Sequence, residues 1–179
     1  MKQKIIVLIG FFLVSIAFAG WNPFGKKYRR SGEENARLLI QEMREFSPSI
    51  RALIDNSVGF VVFPRVTKLA VGIGGGGGYG KLFWGRKLTG TCKLSQVSFG
   101  FQLGGQVYSE VILFQNGPTF ENFRNGKLKF VGSVSVAVLD EGFGKDIGFK
   151  DGTAVIVKGQ KGLMYEAALK GQEFECKSL

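Results

Sequence analysis

The sequence predicts an α+β domain: a strongly curved or barrel-like antiparallel β-sheet with two N-terminal helices packed on it. Three observations carry this expectation. Residues 31–55 show helical spacing and capping signals, whereas from Val58 onward the apolar pattern is that of short strands. Seven of the nine residues from Gly72 to Gly80 are glycine. Such a density marks backbone that turns tightly, uses positive φ or lies close against another surface. Gly-Gly and Asn-Gly corners recur through the remaining strands, as in curved or closed antiparallel sheets.

Residues 1–19 read as a signal peptide. Lys2 and Lys4 precede the apolar run Ile5–Phe18, and Ala17-Phe18-Ala19 fits an A-x-A cleavage site. The run is short for a membrane span, which needs about 20 apolar residues. The expected product is exported, periplasmic or secreted, and peripheral at a membrane if it meets one. Residues 20–30 form a basic-aromatic tail in which Lys26, Lys27, Arg29 and Arg30 alternate with Trp21, Phe24 and Tyr28. That mixture suits either an anionic bilayer interface or a disordered terminus. Residues 31–179 are read as one domain.

Ser31 and Glu34 fit a capping box, and Ala36, Leu39, Ile40 and Met43 share one helix face. Ser47-Pro48 ends this helix near Phe46 and starts a second one running to Asp55. Val58–Phe63 is apolar at every position but Gly59, the pattern of a buried strand. Lys68–Ile73 and Tyr79–Trp84 are expected to pair across a glycine turn. In Gln96–Phe114, Phe99, Phe101, Leu103, Val107, Val111 and Leu113 alternate with the polar Gln102, Gln106, Tyr108 and Glu110. Gly104-Gly105 is a hairpin turn or a bulge in one bent strand. A turn with one helical turn is expected in Asn116–Asn125, then strands at Lys127–Leu139, Ala154–Val157 and Gly162–Leu169.

The stretches Gly59–Phe83 (GFVVFPRVTKLAVGIGGGGGYGKLF), Ser98–Phe114 (SFGFQLGGQVYSEVILF) and Lys158–Gly171 (KGQKGLMYEAALKG) together resemble the SYLF domain family, in the family's order, over about Ala36–Gly171. The glycine-rich Asp140–Asp151 loop departs from the family pattern. The resemblance implies lipid binding, with phosphoinositides as ligands of eukaryotic members and actin bound by yeast members. For a bacterial exported member the candidate ligands are instead phosphatidylglycerol, cardiolipin or lipopolysaccharide.

Net charge is +10, and no acidic residue lies between Asp55 and Glu110, where Arg65, Lys68, Lys81, Arg86, Lys87 and Lys93 fall. This block is either a site for an anionic partner or a solvated basic face. With the four basic residues of the tail, these six are the candidate lipid contacts.

Catalysis finds no footing. Histidine is absent, and there is no G-x-S-x-G elbow. Gly72–Gly77 matches G-x-G-x-x-G but lacks the following helix and the acid about 20 residues on. Gly75–Lys81 matches G-x-x-x-x-G-K, yet Leu82 stands where magnesium needs Ser or Thr. The expectation is therefore a non-enzymatic protein without cofactor, metal, nucleotide or nucleic acid. Its partner is an anionic membrane lipid or, in the alternative, a protein of the cell envelope that it serves as a structural or interaction module. Cys92 and Cys176 can pair in an oxidising compartment, or remain two separate thiols.

Overall fold

The computed structural model describes residues 32–127, 136–139, 147–159 and 171–179, with side chains 69–74, 98–104, 137 and 138 left aside. The expected signal peptide, the tail with Lys26, Lys27, Arg29 and Arg30, the cap Ser31, most of the Asp140–Asp151 loop and the strand Gly162–Leu169 lie outside the described residues.

Helix α1 (Gly32–Phe46) has Glu33 and Glu34 in its first turn and Arg44 in its last, the charge order that suits the helix dipole. It buries Ala36, Leu39 and Met43. Helix α2 (Pro48–Asp55) starts as the sequence predicts. The Ser47 side chain accepts from the Ile50 amide at 3.2 Å, and Pro48 occupies the first turn. Ile50, Leu53 and Ile54 are its buried face.

Two long strands follow, β1 (Gly59–Trp84) and β2 (Lys87–Phe114), paired antiparallel from Gly59↔Phe114 to Trp84↔Lys87. The glycine run is therefore not a turn. It pairs along one edge with β2, Gly76 opposite Gln96 and Gly80 opposite Cys92, and Lys68–Ile73 does not pair with Tyr79–Trp84 across it. The turn falls instead at Gly85, whose φ of 56° is the left-handed conformation that glycine adopts without penalty. None of Gly75–Gly80 has positive φ. Gly104-Gly105 is no hairpin either: within continuous β2 the pair lies opposite Ala70 and Leu69, and the register shift falls just before it, between Gly100 and Gly104.

What the run requires of glycine is close approach. A Cβ on Gly76 would lie 2.6 Å from the Thr67 carbonyl oxygen, one on Gly78 2.5 Å from that of Arg65, and one on Gly80 2.7 Å from the Phe63 ring. The partner numbers fall as the glycine numbers rise, so the second half of β1 runs back along the first. Further along, the rings of Phe60 and Phe83 stack at 5.1 Å, and the Gly85 amide donates to the Val58 carbonyl at 2.8 Å.

Helix α3 (Gly117–Arg124) is longer than the single turn expected. Asn116 caps it by accepting from the Thr119 amide at 3.0 Å. Strand β3 (Val136–Val138) runs parallel to β4 (Thr153–Lys158), a departure from the all-antiparallel expectation. Strand β4 pairs with Ser109–Phe114 of β2, and β5 (Gln172–Ser178) pairs with Gly90–Gln96 of the same strand. The order is β1-β2-β4-β3 with β5 beside β2, and the sheet is not closed into a barrel. Among the described strands, β1 and β3 end the path and do not pair with each other; β2 spends its second edge on two separate strands.

Period-two alternation gives the sheet two apolar faces. Val61, Phe63, Ile112, Phe114, Val155 and Val157 face an inner core, which Leu82, Leu94 and Phe174 join and Phe120 and Phe123 of α3 close. Val62, Val111, Leu113, Ala154 and Ile156 face an outer core beneath α1 and α2. A strand apolar at almost every position is thus explained: both of its faces are covered.

Within β2, Tyr108 and Glu110 are buried, against the expectation of an outward polar face. The Tyr108 hydroxyl donates to Gln96 Oε1 at 2.9 Å, and Gln172 Nε2 donates to Glu110 Oε2 at 2.9 Å. Hydrogen bonding makes their burial tolerable. Burial, and secondarily the Glu110 charge, push the Tyr108 hydroxyl well above its ordinary pKa. Cys92 and Cys176 sit opposite each other in the β2–β5 register and form a disulfide that fastens β5.

Candidate anion-binding site

Arg37 and Arg44 are seven residues apart in α1, two helical turns, and so lie on one face. Arg51 follows on α2, and Arg86 comes from the β1–β2 turn. These four arginines line one groove of about 630 Å³, whose only acidic lining residues are Glu45 and Asp55. Ile40, Ile54 and Phe60 supply an apolar part of the wall.

The arginines are held to different degrees. Arg37 Nε donates to Glu33 at 2.9 Å, both of its terminal nitrogens donate to the Arg86 carbonyl at 3.3 Å, and its guanidinium lies 5.0 Å from the Phe83 ring centroid. It thereby ties α1 to the turn. Arg44 pairs with Asp55 at 2.6 Å and joins the two helices. Arg51 Nε donates to the Arg44 carbonyl at 3.2 Å, satisfying one of the carbonyls left open at the end of α1. Glu45 accepts from Gln41 at 3.1 Å. Among the described residues neither Arg51 nor Arg86 forms an ion pair, and both are exposed. The arrangement can accept an anion through planar, multiply donating guanidiniums.

The six basic residues expected between Asp55 and Glu110 do not make one patch. Arg86 and Lys87 are exposed at the turn, two and three residues after Trp84, which is 44% exposed. Lys81 is half-buried, with its side chain beside Gly32 at the start of α1. Lys93 is exposed in β2, opposite Tyr79 on one side and Glu175 on the other. Arg65 is half-buried. Lys68 is 6% exposed and is not a surface contact: the second half of β1 passes over it, with Gly76 against its Cα and Cβ.

Sequence reasoning missed Arg37, Arg44 and Arg51. Their seven-residue spacing was the available signal, but Glu33, Glu45 and Asp55 are interspersed and made the helix look electrically balanced.

Among the described residues no group of three or more His, Cys, Asp or Glu side chains is placed to hold a metal ion, and no helix is long and apolar enough to cross a membrane. Comparison with family models and with curated proteins returns no match to this chain.

Proposed function

We propose that the protein is a non-enzymatic, exported module that binds anionic phospholipid at a membrane surface. The observation that carries this reading is the turn Trp84–Lys87. A part-exposed indole is followed by two exposed cations that form no ion pair among the described residues. Indoles favour the headgroup region, and each basic residue near an anionic surface contributes about 1 kcal/mol. The net charge of +10 and the resemblance to the SYLF family support the same reading. The basic-aromatic residues 20–30 supply a second attachment of the same chemistry.

Co-sedimentation with phosphatidylcholine vesicles of rising phosphatidylglycerol content tests it. Bound protein is expected to rise with anionic lipid and fall with salt. Lys87→Gln is expected to weaken binding about fivefold, the equivalent of one cation. Binding that ignores phosphatidylglycerol content would refute the proposal. If deletion of residues 20–30 abolishes binding while Lys87→Gln leaves it unchanged, the tail and not the turn is the attachment. A second reading, an envelope protein-interaction module, is favoured by Tyr79 and Val97. They stand 79% and 57% exposed on β1 and β2.

A further inference from the structure

The arginine groove is built differently from a merely basic surface. Its four arginines come from three elements, α1, α2 and the β1–β2 turn, and line one concavity together with an apolar wall. Two of them, Arg37 and Arg44, are already fixed by Glu33, Asp55 and the Arg86 carbonyl, so little ordering remains for them on binding. The other two, Arg51 and Arg86, are exposed and have no acidic partner among the described residues. Lining charge is four arginines against two carboxylates, a surplus of two positive charges. The volume of about 630 Å³ falls within the range of small-molecule sites.

We propose that this groove binds a phosphate ester that carries an apolar group. The phosphate would lie against Arg51 and Arg86, and the apolar part against Ile40, Ile54 and Phe60. A phosphate offers several acceptor oxygens and a charge between one and two, which suits more than one guanidinium at a time. The inference deepens the lipid reading by naming a headgroup subsite, and rests on that reading only for the source of the phosphate. A membrane lipid and a soluble phosphorylated molecule present the same chemistry.

The test uses the full chain and three probes: dihexanoyl phosphatidic acid below its micelle concentration, glycerol 3-phosphate, and phosphatidylglycerol-containing vesicles. Binding is followed by titration calorimetry and by amide chemical shifts. Arg51→Gln combined with Arg86→Gln removes the two unpaired cations. Lys127→Gln combined with Lys177→Gln removes two exposed cations that do not line the groove. Thermal melts verify that both variants fold. The expected result is binding of the short-chain lipid with shifts in α1, α2 and residues 85–86. It weakens at least about tenfold in the arginine variant and stays nearly unchanged in the lysine variant, since hydrogen bonds to charged groups are the strong ones. Glycerol 3-phosphate binding as tightly as the lipid would keep a soluble phosphate on Arg51 and Arg86 and overturn the apolar half of the proposal. Vesicle binding that survives in the arginine variant, without short-chain lipid binding in the unmodified protein, would overturn the groove and leave the membrane reading standing. Absence of both short-chain lipid binding and vesicle binding in the unmodified protein would overturn both.

Discussion

Removing the Cys92–Cys176 disulfide should destabilise the domain mainly through its unfolded state. The two cysteines are 84 residues apart in sequence. In the chain-entropy model a loop of that length corresponds to about 4.5 kcal/mol at 25 °C. The folded state has other reasons to keep β5 in place. Seven residues of β5 pair with β2, and Phe174 packs 4.9 Å from Phe123 and 5.8 Å from Phe63, centroid to centroid. Cys92→Ala with Cys176→Ala should therefore keep the native circular dichroism spectrum while losing urea resistance. Small domains have a total stability of about 5–15 kcal/mol, so the loss is a large fraction of it. In a domain of this size it corresponds to a fall in Tm of roughly 9–18 °C. Urea titration of the oxidised protein, the reduced protein and the double variant is the assay. The reduced and double-variant midpoints should fall together, well below the oxidised one. Equal midpoints for oxidised protein and double variant, or two reactive thiols in unfolded, unreduced protein, would refute the reasoning.

Gly78→Ala should destabilise by about 1–3 kcal/mol or more, the range for overpacking, because the new methyl meets the Arg65 carbonyl at 2.5 Å and backbone cannot rotate aside. Gly148→Ala, with nothing within 4 Å of the new atom, is the neutral control in the same melt. Above pH of about 10 the unfolded chain releases the Tyr108 proton while the folded protein keeps it, so stability from this group is intact below that pH and falls as pH rises, by about 1.4 kcal/mol per unit. Urea midpoints from pH 9 to 11.5 should fall less steeply in Tyr108→Phe than in the unmodified protein; parallel curves would show that Tyr108 titrates like an exposed phenol.

The helices were legible because their signals are local. Ser47 and Pro48 decide the start of α2 whatever surrounds them, and the apolar spacing of Ala36, Leu39 and Met43 needs only one core to face. Val58–Phe63 was legible as buried because it lacks any polar position. The glycine run was misread because glycine permits an extended chain as readily as a turn, and only the partner settles which. That partner, β2, begins at Lys87, beyond the glycines, and the close contact of Gly78 with Arg65 comes from tertiary folding. Tyr108 and Glu110 looked outward for a similar reason: their burial depends on Gln96 and Gln172, one of them 62 residues or more away in sequence. Strand β5 was not anticipated. Phe174 and Cys176 do alternate with Glu173, Glu175 and Lys177, but the segment is short and highly charged. Of the groove, sequence reasoning found Arg86 and not the helical arginines, since carboxylates that pair with one arginine mask the surplus of the others.

The two apolar faces of the sheet imply two fastenings of unequal strength. The inner face is locked by a covalent bond and closed by α3. The helices on the outer face are kept down by side-chain packing, by the Lys158–Glu42 ion pair and by the contacts of Arg37. Amides of α1 and α2 should therefore exchange with solvent through a partial opening that leaves β1 and β2 protected. The groove lies largely on this looser layer. A molecule seated there would slow exchange most in the helices and, by binding only the folded state, would also raise the urea midpoint; the protein would register occupancy first as a stiffening of its outer skin.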